Sequence, residues 1–237
     1  EICEYVPDMW YRLRIDADTF SGKADIYLNG RVQATADFLD AATSIDTLTL
    51  GNNDSDSVEF DTVKVFVKQT HEDYVPVPVK PAGTDDYYVG LNICSLWVNG
   101  THYGWSCISA HEDHIPVLGL YDEGVEETAD WEIKFMLEHG IDFQAFCWYP
   151  DFGDAPIKEP KNGAQLYDAF VYSKYSHMTN YCLLWEARNS QRPTSFESFK
   201  KYYVPYIIEY FLKDSRYMVI DNRPVLSVYG QDYLAKS

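Results

Sequence analysis

Glu186 is the carboxylate best placed for chemistry, because it directly follows Trp185 where an apolar run ends. A carboxylate beside an aromatic ring suits a sugar. The ring face takes the apolar C–H side of a pyranose, and the acid binds a hydroxyl or moves a proton. The competing reading of Glu186 is an ion pair with Arg188 or with a loop Lys. Trp97, Trp148, Tyr149, Trp185 and Tyr229 fall near the ends of apolar runs and read as stacking platforms, against the plainer reading of ring packing at a rim. Asp122, in Tyr121-Asp122-Glu123-Gly124, reads as a substrate ligand or, with more weight, as the residue that opens the loop before a helix.

Metal chemistry has less to work with. His111-Glu112-Asp113-His114 does not have the spacing that sets two His on one helical face, and Pro116 favours a loop, so no metal is expected there. Asp61, with Asp54 and Asp56, offers a weak structural calcium site, although solvated turns are the commoner fate of such acids. No other cofactor is expected. The five cysteines are an odd number without a CxxC pair, which argues against a zinc ribbon or a complete disulfide framework. Cys147 and Cys182 sit in apolar runs and read as small hydrophobes. Cys94 and Cys107 flank one loop and are the pair for which a bridge is considered, with Cys3 left over. Asn53-Asp54-Ser55 and Asn99-Gly100-Thr101 have the form of glycosylation acceptors.

The elements that must position these residues change character along the chain. Tyr11, Leu13 and Ile15 alternate with charged residues, and Asn29-Gly30 separates two extended runs, the signal for a type I′ hairpin. Ile45 to Leu50 and Val63, Val65 and Val67 add two more alternating runs, so residues 1–70 read as an antiparallel meander, part of a β-sandwich or jelly roll. Tyr74-Val75-Pro76-Val77-Pro78-Val79-Lys80-Pro81 has the composition of a semi-rigid linker, and the boundary is drawn over residues 71–84.

Over residues 85–237 strands alternate with helices. Strands are expected at Tyr88 to Ile93, Phe143 to Trp148, Tyr181 to Trp185 and Pro224 to Tyr229. Helices are expected at Glu126 to His139 with Gly140 closing it, around Leu166 to Ser173, and from a capping box at Thr194 and Glu197 to Tyr210, with Pro205 kinking the last. This order demands a parallel sheet, as in a (β/α)8 TIM-type barrel or an open doubly wound fold. No glycine-rich phosphate loop follows the first strand, which disfavours the dinucleotide-binding form. Strand ends rich in aromatics and carboxylates favour the barrel, of which residues 85–237 supply about half, the first four strands.

With 19 basic against 37 acidic residues, the net charge of −18 repels phosphate backbones, so nucleic acid is not expected as a partner. No apolar run is long enough to span a bilayer. The chain starts at Glu1 without an initiator Met or a signal peptide, which leads to the expectation that it is cut from something longer.

Two resemblances sharpen this reading. The segment from Trp10 to Phe38, followed by Ser44 to Asp54 and Phe60 to Val67, resembles the C-terminal half of a concanavalin-like (laminin-G-like) lectin or glucanase domain. His114-Ile-Pro-Val-Leu-Gly-Leu-Tyr-Asp-Glu-Gly, the helix carrying Trp131, and Glu138-His-Gly-Ile-Asp-Phe-Gln-Ala-Phe-Cys-Trp-Tyr resemble the opening half of a glycoside hydrolase family 99-like, WbsX-like barrel. Phe196 to Tyr210 and Tyr217-Met-Val-Ile-Asp-Asn-Arg-Pro-Val-Leu-Ser-Val-Tyr are similar to that family's third helix and fourth strand. These resemblances imply an extracellular or cell-surface hydrolase acting on a glycan or polysaccharide, with a lectin-like module attached. The main carboxylate pair is then expected beyond residue 237, with residues 1–237 alone inactive. One carboxylate of such a pair protonates the leaving oxygen while the other supports the opposite side of the sugar. The rivals are a WbsX-type glycosyltransferase and a non-catalytic glycan-binding or adhesion protein. In WbsX-type members an acid near Glu186 lies in a different local motif from the Ala187-Arg188-Asn189 found here.

Overall fold

A computed structural model describes residues 5–51, 57–67, 75–82, 86–99, 105, 109–150, 153–158, 160–188 and 192–234. Cys3, Asp54, Asp56, Cys107, Gly100 and Thr101, and the linker as far as Tyr74, lie outside the described residues.

Three antiparallel strands open the described chain: β1 (Leu13–Asp18), β2 (Lys23–Leu28) and β3 (Arg31–Asp37), in the order β1-β2-β3. The expected hairpin forms between β2 and β3, with Asn29 at φ 51° and Gly30 at φ 77°. A two-residue turn with both φ values positive matches the right-handed twist of its strands. The Asn29 Oδ1 accepts from the Arg12 backbone N–H at 3.0 Å, which ties the turn to the entry of β1. The alternating runs at 45–50 and 63–67 do not continue the meander; they form no ladder among the described residues, and Val65 and Val67 are 83% and 92% exposed. Alternation makes a strand amphipathic, but a ladder also needs a partner strand brought into register beside it.

The second sheet is parallel. It contains β4 (Gly90–Ile93), β5 (Phe143–Trp148), β6 (Asn180–Glu186) and β9 (Leu226–Tyr229), in that spatial order. Its strands lie side by side in chain order, and a short hairpin of β7 (Val219–Ile220) and β8 (Arg223–Pro224) precedes the last. Helix α1 (Glu126–Glu138) joins β4 to β5 and ends as expected: Gly140 has φ 72°, and the Ile141 N–H reaches back to the Met136 carbonyl at 3.0 Å. A helical run at 164–172 follows β5, and another at 196–212 follows β6. The latter starts on Ser195, whose side chain accepts from the Ser198 N–H at 3.1 Å, whereas Thr194, the expected cap, instead hydrogen-bonds Asp154 at 2.5 Å. It alternates α turns with wider π turns on either side of Pro205. No helix of the described residues is long and apolar enough to cross a membrane.

The core lies between the parallel sheet and the helical runs at 164–172 and 196–212. Trp148 meets Trp185, Tyr203, Tyr206 and Phe211 with ring centroids 5.6 to 6.3 Å apart. Val75, in the linker segment, is buried in the same core, and the Tyr175 hydroxyl donates to its carbonyl at 2.5 Å.

The antiparallel sheet is held against the helical layer by arginines. Arg12 pairs with Asp168, and Arg14 pairs with Glu126 at 2.8 Å while its guanidinium lies 4.1 Å over the Tyr172 ring. Gly30 sits where the hairpin meets this layer: a Cβ there would lie 2.7 Å from the Cβ of Val171, in a left-handed backbone conformation that disfavours side chains. Gly30→Ala should therefore destabilise the chain by about 1–3 kcal/mol, read from urea unfolding. Val171→Ala placed in the same chain should recover part of that loss; no recovery would mean that backbone strain alone is responsible.

Candidate functional site

The pleat of the parallel sheet sorts its side chains into two sets. The register pairs Ala145 with Cys182, Cys147 with Leu184 and Glu186 with Tyr229, so these residues share the face turned away from the helical core. Phe146, Trp148, Leu183 and Trp185 share the opposite face. Of the candidate carboxylate and stacking residues, Glu186 and Tyr229 are paired at the carboxyl ends of β6 and β9, and Tyr149 follows the end of β5.

Trp148 and Trp185 do not join them. They are 1% and 2% exposed, and their rings pack against Tyr206 and Tyr203, so neither offers a free face to a ligand. Neighbours in a strand point to opposite faces, so Trp148 cannot accompany Tyr149, nor Trp185 accompany Glu186.

Glu186 is held by its neighbour. Arg188 Nε donates to Oε1 at 2.7 Å and Nη2 to Oε2 at 3.1 Å, while the Arg188 backbone N–H also reaches Oε1 at 3.1 Å. The competing ion-pair reading is thus realised, in the bidentate geometry that fixes a carboxylate's plane. The guanidinium then lies 4.4 Å over the ring of Tyr229, which is 52% exposed. Gly230, at φ 78°, makes room for it: a Cβ there would come 2.5 Å from the Arg188 Cγ.

Beside this group stand two thiols that the sequence reading assigned to packing or to a loop bridge. Cys94 is a free thiol, exposed just past β4, with its sulfur 3.3 Å from the Tyr149 hydroxyl. Cys147 is half-buried, and burial together with the nearby Cys94 pushes its thiol up to about 11. Burial, and hydrogen bonding to Cys94, also raise the Tyr149 hydroxyl well above its usual range.

Trp97 and Asp122 occupy the connection from β4 to α1. Trp97 stacks on Trp105 at 4.3 Å, and the Trp105 indole N–H donates to the Tyr121 carbonyl. Asp122 has the loop-forming role, accepting from the Asn99 N–H at 2.9 Å and the Gly124 N–H at 2.7 Å. Buried Glu123 does more of the same work: its Oε2 accepts from the backbone N–H groups of Leu96 and Trp97 at 2.7 and 2.8 Å, and burial raises its carboxyl. Glu132 on α1 faces this connection. Burial pushes it up to about 7, against the Gln165 amide that hydrogen-bonds it.

Metal ligation is sparse among the described residues. His111, Asp113 and His114 bring their ligand atoms within 4.8 Å of one another on an exposed turn. Asp61, the calcium candidate, is instead ion-paired with Lys158.

Comparison of the chain with protein-family models, with curated proteins and with solved structures found no match.

Because the folded-state carboxyl of Glu132 binds its proton more tightly than an ordinary glutamate at 4.5, the folded chain holds more protons than the unfolded one between about pH 4.5 and 7. Stability should fall as pH rises through that window. Glu132→Gln should flatten this part of the profile and raise stability at pH 8, as measured by urea unfolding at a series of pH values. A profile unchanged by the substitution would refute the assignment.

Proposed function

We propose that this chain supplies the sugar-binding face of an extracellular carbohydrate-active enzyme, a glycoside hydrolase of the family 99-like kind acting on a glycan or polysaccharide. The observation that carries the reading is the alignment of Glu186 with Tyr229 on the sheet face opposite Trp148 and Trp185, at the carboxyl ends of strands that follow one another in chain order. Strands in this order, without a switch point, suit a barrel better than a doubly wound sheet, and barrels place their sites at this end of the strands. The sequence resemblance to family 99-like barrels supports the same reading.

Each residue then has a task. Tyr229 presents an exposed ring to the C–H face of a sugar, and Glu186 and Arg188 supply an acceptor and donors for its hydroxyls. Arg188 fixes the Glu186 carboxylate before the ligand arrives, so little ordering remains to be done on binding. Tyr149 adds a neutral hydroxyl. In a hydrolase of this kind Glu186 assists by orienting the sugar or by moving a proton on it, beside a carboxylate pair that acts on the glycosidic bond.

Calorimetric titration of the purified chain with neutral oligosaccharides tests this reading. Binding is expected, and Tyr229→Ala should weaken it several-fold, the loss of one stacking contact of about 1 kcal/mol, with little change in melting temperature because the ring is half-exposed. Trp148→Ala should do the reverse, costing about 3–5 kcal/mol of stability while the affinity per folded molecule stays the same. Absence of binding, or binding indifferent to Tyr229, would overturn the assignment of the face; binding in which Glu186→Gln leaves affinity intact would remove Glu186 from it.

A further inference from the structure

We propose that Cys94 and Cys147 are an oxidisable dithiol that closes into a disulfide across β4 and β5 by exchange with a small-molecule disulfide. Parallel pairing places Ile93 opposite Phe146, and continuing that register by one residue brings Cys94, just past β4, beside Cys147 of β5. Adjacent strands lie about 4.8 Å apart, within the separation of about 4.4–6.8 Å between α-carbons that a disulfide spans. The Cys94 sulfur lies 3.3 Å from the Tyr149 hydroxyl, and Cys94 is close enough to act electrostatically on the Cys147 thiol, so closure brings together sulfurs that are already neighbours.

Exposure sets the order of events. Cys94 is exposed and Cys147 half-buried, so the incoming disulfide meets Cys94 first. The Cys94 thiolate attacks one sulfur, breaking the S–S bond; a mixed disulfide forms and one small thiol leaves with a proton. The Cys147 thiolate then attacks the Cys94 sulfur and expels the second small thiol, which takes the second proton. Two protein thiols are oxidised by two electrons, and the small disulfide is reduced to two thiols. Because burial raises the Cys147 thiol, the closing step should quicken as pH rises. This inference does not depend on the sugar-binding reading.

The test treats the reduced chain with oxidised glutathione at pH 8.5, blocks the remaining thiols, digests without reduction and maps the linked peptides by mass. A Cys94–Cys147 peptide is expected as the main product. Cys147→Ser should stop at a stable glutathione adduct on Cys94, and Cys94→Ser should abolish the linked product. Cys94 joined to Cys107 or Cys3, or a persistent glutathione adduct on Cys94 in the unsubstituted chain, would overturn the proposal. The mapping of the unsubstituted chain stands whether or not either variant folds.

Discussion

The pleat of β5 and β6 is the constraint on which the rest of the molecule depends. It commits Phe146, Trp148, Tyr181, Leu183 and Trp185 to the side that meets the helical runs, where rings of Tyr167, Phe170, Tyr203, Tyr206, Tyr210 and Phe211 close around them. A layer so rich in tyrosine is stable only if its hydroxyls are satisfied. They are: the Trp148 indole N–H donates to the Tyr167 hydroxyl at 3.1 Å, Tyr206 donates to the same oxygen at 3.2 Å, and Tyr217 donates to the Val225 carbonyl at 2.7 Å. Ring packing and a polar network thus occupy the same space, so a small shift in one strand would break both kinds of contact.

The outer side of that layer carries the antiparallel sheet, and the contact is made largely by guanidinium groups. Arg216 binds the Asp214 carboxylate at 2.7 Å, the Val171 carbonyl and Ser176 hydroxyl at 2.8 Å each, and the Gly30 carbonyl at 3.5 Å. One planar group thereby joins the end of the 196–212 helical run, the 164–172 run and the β2–β3 hairpin, a task for which the five donors of arginine suit it and lysine would not. Arg12 and Arg14 act similarly on Asp168 and Glu126. In a chain with nearly twice as many acidic as basic residues, these cations are committed to internal pairs. The excess negative charge is left to the rest of the chain.

Most of the order of elements was legible because it follows from periodicity. Helix α1, its glycine cap, the Asn29-Gly30 turn and the four parallel strands all rest on local spacing that tertiary contacts did not override. Two kinds of information were not local. The runs at 45–50 and 63–67 have strand alternation, yet pairing depends on a partner strand arriving in register, which no pattern within a run reveals. Trp148 and Trp185 were misplaced for a different reason: Trp148 with Tyr149, and Trp185 with Glu186, were grouped by position in the chain, although the same period of two that identified the strands sends neighbours to opposite faces. Applied within each pair, it would have kept Tyr149 and Glu186 and given Trp148 and Trp185 to the core. It would also have put Cys147 on the face of Glu186, where reading it only as an apolar residue hid it.

The arrangement of that face bears on the charge of what it can hold. Glu186 and Arg188 neutralise each other, and Arg188 in turn lies over Tyr229. An anionic ligand would compete with Glu186 for the guanidinium and a cationic one would compete with Arg188 for the carboxylate; either must break a bidentate pair and leave one charge without its partner. A neutral polyol has no such conflict. It can stack on the exposed part of the Tyr229 ring, accept from guanidinium N–H groups and donate to carboxylate oxygens, while its bulk excludes water from the pair. Excluding water strengthens the Glu186–Arg188 attraction but costs the desolvation of both ions, which the polyol's hydroxyls offset by hydrogen-bonding to them. The Glu186–Arg188 ion pair is thus compatible with the uncharged, hydroxyl-rich ligand proposed above.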